Sequence, residues 1–297
     1  VVVSMHHVLF DHQGMMNFMR VLADENFSVP FFPEPSQSSF WNGLKNAVYT
    51  TIYMLTKSSG KLGTLVKSDL KINSVPKFRT ISFNTSETSI IENNAWQVGS
   101  RIGRTPFYMA TIAQTVFLTL NKREEKPPYL WISLPHNQRR KGSAGHLVSN
   151  QLSFLFFRIK DEALNSTTEA VASINQQMKQ QLKSRFSGRY SDLQDSLRFM
   201  PLAVYEWMVD LASKGKMSSF GYSDLGEINE PLNNFLGCEV ESTQHFAPVP
   251  SPPGFNVAVL KEKGELRFIW AYVEEAVTEL EIEEMESYFR NLALNGN

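Results

Sequence analysis

Two hydrophobic periods alternate along this chain. The opening run Val1-Val2-Val3-Ser4-Met5 is continuous and largely β-branched, as in a buried strand, and after His6-His7 the residues Met15, Met16, Phe18, Met19, Val21 and Leu22 recur at helical spacing. Strand, tight loop and helix are predicted in that order. Phe40, Trp41, Leu44, Val48, Ile52 and Leu55 form one stripe at i, i+3/i+4 spacing, which predicts a surface helix packed on a core through that stripe. Alternation predicts a strand over 78–83, and helices are expected over 88–98 and 106–120. Pro106 suits the first turn of the latter, where its missing N–H costs nothing.

Further on, Tyr129 to Leu134 reads as a strand ended by Pro135 and a polar loop from His136, and Gln151 to Ile159 as the next strand. A long helix over 166–186 is headed by Ser166-Thr167-Thr168-Glu169, a capping box, and a shorter apolar helix is expected over 202–212. Strands follow over 217–222, 237–242, 255–261 and 265–272, with Lys263-Gly264 as a hairpin turn, and a helix closes the chain over 279–294. Pro30, Pro33 and Pro35 mark 26–39 as a loop or linker. Helices and strands interleave, while the last third holds several strands in succession. The fold class expected is α/β (α+β), with mixed sheets and flanking helices.

The 297 residues are 42% hydrophobic and 12% aromatic, enough for one large core or two ordinary ones. Twenty-nine basic and 30 acidic residues leave a net charge of -1, so nothing draws the chain to nucleic acid, although peripheral membrane contact stays open. No apolar run approaches the ~20 residues that cross a bilayer. Cys238 is the single cysteine, which rules out an intrachain disulfide and points to a reducing, cytoplasmic setting. Its Gly-Cys-Glu-Val context reads as a small packing residue at a strand start. No Cys/His array offers a metal site.

Candidate chemistry lies at His7 and Asp11. A histidine at the end of a strand, followed by a tight loop and an acid four residues on, offers an imidazole able to accept a proton near pH 7. Asp11 would fix the loop or bias the imidazole tautomer, and if it faces away from the site it needs a cationic partner, because an unpaired buried carboxylate is costly. His12, His136, His146 and His245 show no ligand spacing; His12 reads as a surface residue at the helix start.

The His-His doublet, Asp11 and the following Gly14 resemble the HHxxxDG motif of the chloramphenicol-acetyltransferase-like superfamily, which includes peptide condensation domains, wax ester synthase/diacylglycerol acyltransferases and related O-acyltransferases. Three downstream segments are similar to that superfamily in the expected order. They are the helix from Thr105 to Leu120, the strand and Pro-x-x-x-Arg loop with Pro135 and Arg139, and the strand over 145–159. Ser223-Asp224-Leu225-Gly226 resembles the SNLG-like turn of the C-terminal half. Two departures stand out: His12 occupies the usual glycine position, and no DFGWG sequence is present.

The resemblance implies two domains of this fold meeting across a tunnel. Residues 1–85 would be the remainder of an N-terminal subdomain carrying the motif, itself incomplete, and 86–297 the C-terminal subdomain. It further implies an acyltransferase with His7 as general base, Asp11 as its motif partner and His6 mainly structural. Ser223 becomes a candidate oxyanion or substrate residue, with His6 and Ser149 as further candidates for that role, and Arg139 and Asn150 become structural or donor-binding candidates. No permanently bound cofactor is implied. The co-substrate would be acyl-CoA or a phosphopantetheinyl thioester on an acyl carrier protein, and the acceptor an alcohol or amine. A non-catalytic module of the same fold is the reading of a different class.

Overall fold

A computed structural model describes residues 2–7, 9–24, 26–27, 39–66, 75–101, 103–139, 150–197, 200–204, 218–228, 232–249 and 252–296. Its centre is a six-stranded sheet. The strands are β1 (Lys77–Phe83), β2 (Tyr129–Asn137), β3 (Leu152–Lys160), β4 (Phe220–Ile228), β7 (Phe255–Glu262) and β8 (Glu265–Tyr272), in the spatial order β1-β8-β7-β4-β2-β3. Pairs β1/β8, β7/β8 and β2/β3 are antiparallel, whereas β4 runs parallel to both β2 and β7, so the sheet is mixed as expected. The hairpin between β7 and β8 turns at Lys263 and Gly264, both with positive φ, which suits a two-residue primed turn. The boundary expected at residue 85 falls just after β1, which is hydrogen-bonded to β8 over its whole length.

One face of the sheet is covered by helices. These are α3 (Thr85–Gln97), α4 (Thr105–Lys122), α5 (Asp161–Leu164), α6 (Thr167–Lys183) and α8 (Glu279–Asn295). α4 carries little charge and is buried on nearly every side, lying between α6 and α8, with Pro106 in its first turn. Local signals start these helices where they begin. Asn84 with Glu87, and Thr278 with Glu281, form complete capping boxes for α3 and α8. The core side of the sheet contributes Ile132, Phe157, Phe220, Tyr222, Val257 and Trp270, among others. The opposite side carries a much smaller cluster of Ile228, Ala258, Leu260 and Ile269.

On that side lie α1 (His12–Ala23), α2 (Phe40–Lys57) and α7 (Phe186–Leu197). α2 packs along α7 and buries Ala47 and Thr50. The stripe expected to face the core is turned the other way: Phe40, Trp41, Leu44, Val48, Ile52 and Leu55 are all exposed. The small side chains of Ala47 and Thr50 allow close helix approach, and that contact decides which side faces inward.

Several further expectations are corrected. Val2 to Met5 form no strand, and Val2 is 95% exposed, because no neighbouring strand is present among the described residues to complete a ladder. The helix expected over 166–186 ends at Lys183. Ser166 caps it by accepting from Glu169 N, but the reciprocal bond from Ser166 N to the Glu169 carboxylate that would complete the expected capping box is not formed; Arg185 at φ 52 breaks the chain before α7. β2 continues through Pro135 to Asn137; β4 pairs with it at Ile132 and Ser133, so the proline lies beyond the doubly paired part of the strand. Ser223 to Gly226 lie inside β4, which bulges between Asp224 and Gly226. The strand expected over 237–242 shrinks to β6 (Cys238–Glu239) paired with β5 (Asn234–Phe235), and Cys238 is exposed, with no packing role. Of the helix expected over 202–212, residues 202–204 are helical and the rest lies outside the described residues.

Candidate active site

The less covered face of the sheet opens into a cavity of about 2480 Å³, and the residues singled out from the sequence converge on it. His6, His7, Asp11, Arg139, Asn150 and Ser223 all line it. Strand alternation explains part of this convergence. Ser133 of β2 pairs with Gly221, and Ser223 of β4 pairs with Ala258, so hydroxyls and small side chains occupy the cavity face while Ile132, Tyr222 and Val257 point into the core. Gly221 serves a close approach. A Cβ there would stand 2.5 Å from Asn256 Oδ1, and Asn256 in turn donates to Pro248 O at 3.2 Å, tying the 243–249 segment to β7.

His7 sits in a tight turn in which Leu9 N donates to His6 O at 2.9 Å. Its side chain is exposed to the cavity. Asn150 Nδ2 donates to His7 O at 3.0 Å and lies 3.3 Å from His7 Nδ1. The turn is thus clamped by a residue 143 positions away in sequence.

Asp11 makes no hydrogen bond to His7 among the described residues. It caps α1 by accepting from Gly14 N at 2.9 Å, accepts from Gln151 N at 2.9 Å, and forms an ion pair with Arg139 Nη1 at 2.5 Å. Both side chains of the pair are 1% exposed. The carboxylate therefore has the cationic partner its burial requires, and its observed work is to lock the histidine turn, α1 and the β2–β3 end together. Gly14 supplies the N3 amide of this cap, two residues beyond the place where the motif usually has its glycine.

His12, expected at the surface, is the first residue of α1 and packs edge-on against His245 with ring centroids 5.0 Å apart. Burial, then the neighbouring His245, lowers its pKa to about 4 despite the pull of Asp11. Burial also lowers His245, whose two ring nitrogens have no partner among the described residues. His136 lies within β2 and is lowered by burial as well. The His12–His245 contact spans more than 230 residues of sequence, and no spacing rule signals it. Ser149 and His146 lie outside the described residues. Among the described residues no group of three His, Cys, Asp or Glu is placed to hold a metal ion, and no helix is long and apolar enough to cross a membrane.

A mixed sheet with helices packed on one face and a cavity on the other agrees with the fold that the sequence resemblance implied. Comparison with solved structures bears this out at the level of fold. The epimerization domain from the third module of tyrocidine synthetase B matches with a TM-score of 0.61 at 13% identity, over 98% of this chain and 67% of that one. Trichothecene 15-O-acetyltransferase from Fusarium sporotrichioides matches with a TM-score of 0.65 at 11% identity, over 87% of this chain and 54% of that one. The first condensation domain of the CDA synthetase gives 0.60 at 14%, over 98% and 63%. The chain thus spans between about half and two thirds of the length of these structures. No protein-family model and no curated protein sequence matches it.

Proposed function

We propose that this chain carries the active site of an acyltransferase that moves an acyl group from a thioester to an alcohol or amine, with His7 as general base. The observation that carries the reading is the placement of His7, exposed in a large cavity while every element around its turn is anchored. A non-catalytic module would have no need to leave this imidazole open to a cavity, and an occluded His7 would have favoured that alternative. In the reaction, the acceptor hydroxyl or amine attacks the thioester carbonyl as His7 removes its proton, and the same proton passes to the departing thiolate. Ser223 O–H, in the cavity wall, is the candidate donor to the oxyanion.

The tautomer matters. For Nε2 to act as base, Nδ1 must carry the ring proton. Turning the Asn150 amide by about half a rotation would bring its oxygen to that proton, at the loss of its bond to His7 O. Asn150 is thereby a positioning residue for His7. Asp11 and Arg139 act through the loop they lock.

The donor is either acyl-CoA or a carrier-protein thioester. The second variant is favoured by the number of peptide-synthetase domains among the similar folds, including the condensation and epimerization domains above. The test is release of free thiol from acyl-CoA, or from an acylated carrier protein, in the presence of alcohols and amines. His7→Ala is expected to lower turnover by about 10²–10⁴-fold without moving the melting temperature, because its side chain is exposed. Undiminished turnover in that variant removes the assignment.

A further inference from the structure

The cavity differs in chemistry between its two sides. Towards β4 and β7 its wall includes Phe78, Leu225, Phe246, Pro248, Val249 and Ala258. Burial lowers the pKa of both His12 and His245 on this side. Towards α2 and α7 the wall is mixed: Phe40 and Leu44 stand on the α2 part, while the α7 part is polar, with Ser184, Arg185, Gly188, Arg189 and Ser191. Among the described residues lining the cavity, the arginines and lysines are Arg139, Arg185 and Arg189. Arg139 is engaged by Asp11. Arg185 and Arg189 stand four residues apart, at the break before α7 and in its first turn, and neither joins an ion pair among the described residues. The Arg189 guanidinium stacks on Tyr49 at 4.7 Å from the ring centroid, which holds its plane while leaving N–H donors at its edge. Two carboxylates share this side. Asp192 accepts from Asn46 at 2.7 Å, and Asp195 lies further along α7.

We propose that Arg185 and Arg189 bind the phosphate of the acyl donor, a phosphorylated pantetheine thioester, so that the donor occupies the α2/α7 side of the cavity and presents its thioester to His7. The inference rests on the acyl-transfer reading above and deepens it. Planar guanidinium groups match phosphate oxygens in geometry and charge, and the first-turn amides of α7 add donors of the same sign. The apolar β4/β7 side then remains for the acyl group or a neutral acceptor. CoA and carrier-bound phosphopantetheine share this phosphate.

Calorimetric titration of the chain at low salt with CoA, 4′-phosphopantetheine and pantetheine tests the site without requiring turnover. CoA and 4′-phosphopantetheine are expected to bind at least tenfold more tightly than pantetheine. Arg185→Gln and Arg189→Gln are each expected to weaken the two phosphorylated ligands about tenfold, a change of about 1.4 kcal/mol, and to leave pantetheine unaffected. Equal affinity for the two phosphorylated ligands supports the site with the shared phosphate as its target; tighter CoA binding supports it with the nucleotide contributing. Unchanged affinity in both variants, or binding that ignores the phosphate, overturns the proposal even if His7→Ala still abolishes thiol release. Phosphate-dependent binding that both variants weaken, in a chain that transfers acyl groups from no donor, upholds the site and sinks the acyltransferase reading instead.

Discussion

Asp11 shows how one buried side chain ties several segments together beside the cavity. It answers a helix N-terminus, a backbone amide of the β3 approach and a guanidinium at once, all out of solvent. Removing one member of such a pair strands the other charge, so Asp11→Ala and Arg139→Met are each expected to cost about 3–5 kcal/mol of stability. The double variant Asp11→Ala/Arg139→Met should be less damaging than the sum of the two; denaturant titration of the three proteins checks this, and strict additivity would deny the pair. His12 gives the residue scale a pH signature. Its folded pKa of about 4 lies below the ordinary 6.5, so as pH falls through 6.5 the unfolded chain takes up a proton that the folded chain refuses. Stability from this residue is intact above about pH 6.5 and declines towards pH 4. His12→Gln is expected to flatten the stability profile in that window, measured by denaturant midpoints.

At the scale of elements, α8 is tied to the rest of the molecule through Glu281. Its carboxylate accepts from Arg123 Nε at 2.7 Å and Nη2 at 2.8 Å and from Thr278 N at 2.9 Å, while Arg123 also donates to Leu65 O and Ala276 O. Burial alone would raise the Glu281 pKa, but the bonds from Arg123 and Thr278 prevail and bring it to about 2. A depressed carboxylate stabilises the fold above its ordinary value of 4.5, and that contribution drains away as pH falls towards 2. Glu281→Gln should therefore lower the melting temperature at pH 7 and show a smaller loss than the unaltered chain on acidification to pH 3. Thr278→Ala, which removes the cap and the hydroxyl's bond to Glu281 Oε2 at 3.0 Å, is expected to cost about 1 kcal/mol. Helix starts of this kind were legible from local residues, as at Ser166 and Pro106. The orientation of α2 was not, because periodicity reports that a helix has an apolar side and not what stands opposite it.

For the whole molecule, the strand order places β8, β7, β4 and β2 inside the sheet and β1 and β3 at its edges. Amide exchange is expected to be slowest in β7 and β8, whose backbones are paired on both sides and roofed by helices, and fast in residues 2–7, which join no ladder. Mass-spectrometric exchange that found the opening residues as protected as β8 would contradict the arrangement described.

By itself the sequence determined where most strands and helices lie, because 2.0 and 3.6 periodicities and helix caps are properties of neighbouring residues. It also singled out His7 and Asp11 as candidates, through a short contiguous motif. Tertiary structure alone decided that Asp11 pairs with Arg139, that Asn150 closes on the histidine turn, that His12 meets His245, and that Arg185 and Arg189 share the cavity with them. Each of these contacts joins segments far apart along the chain or depends on which side of an element packs. They come into being when the sheet orders its strands, and no spacing along the chain encodes them.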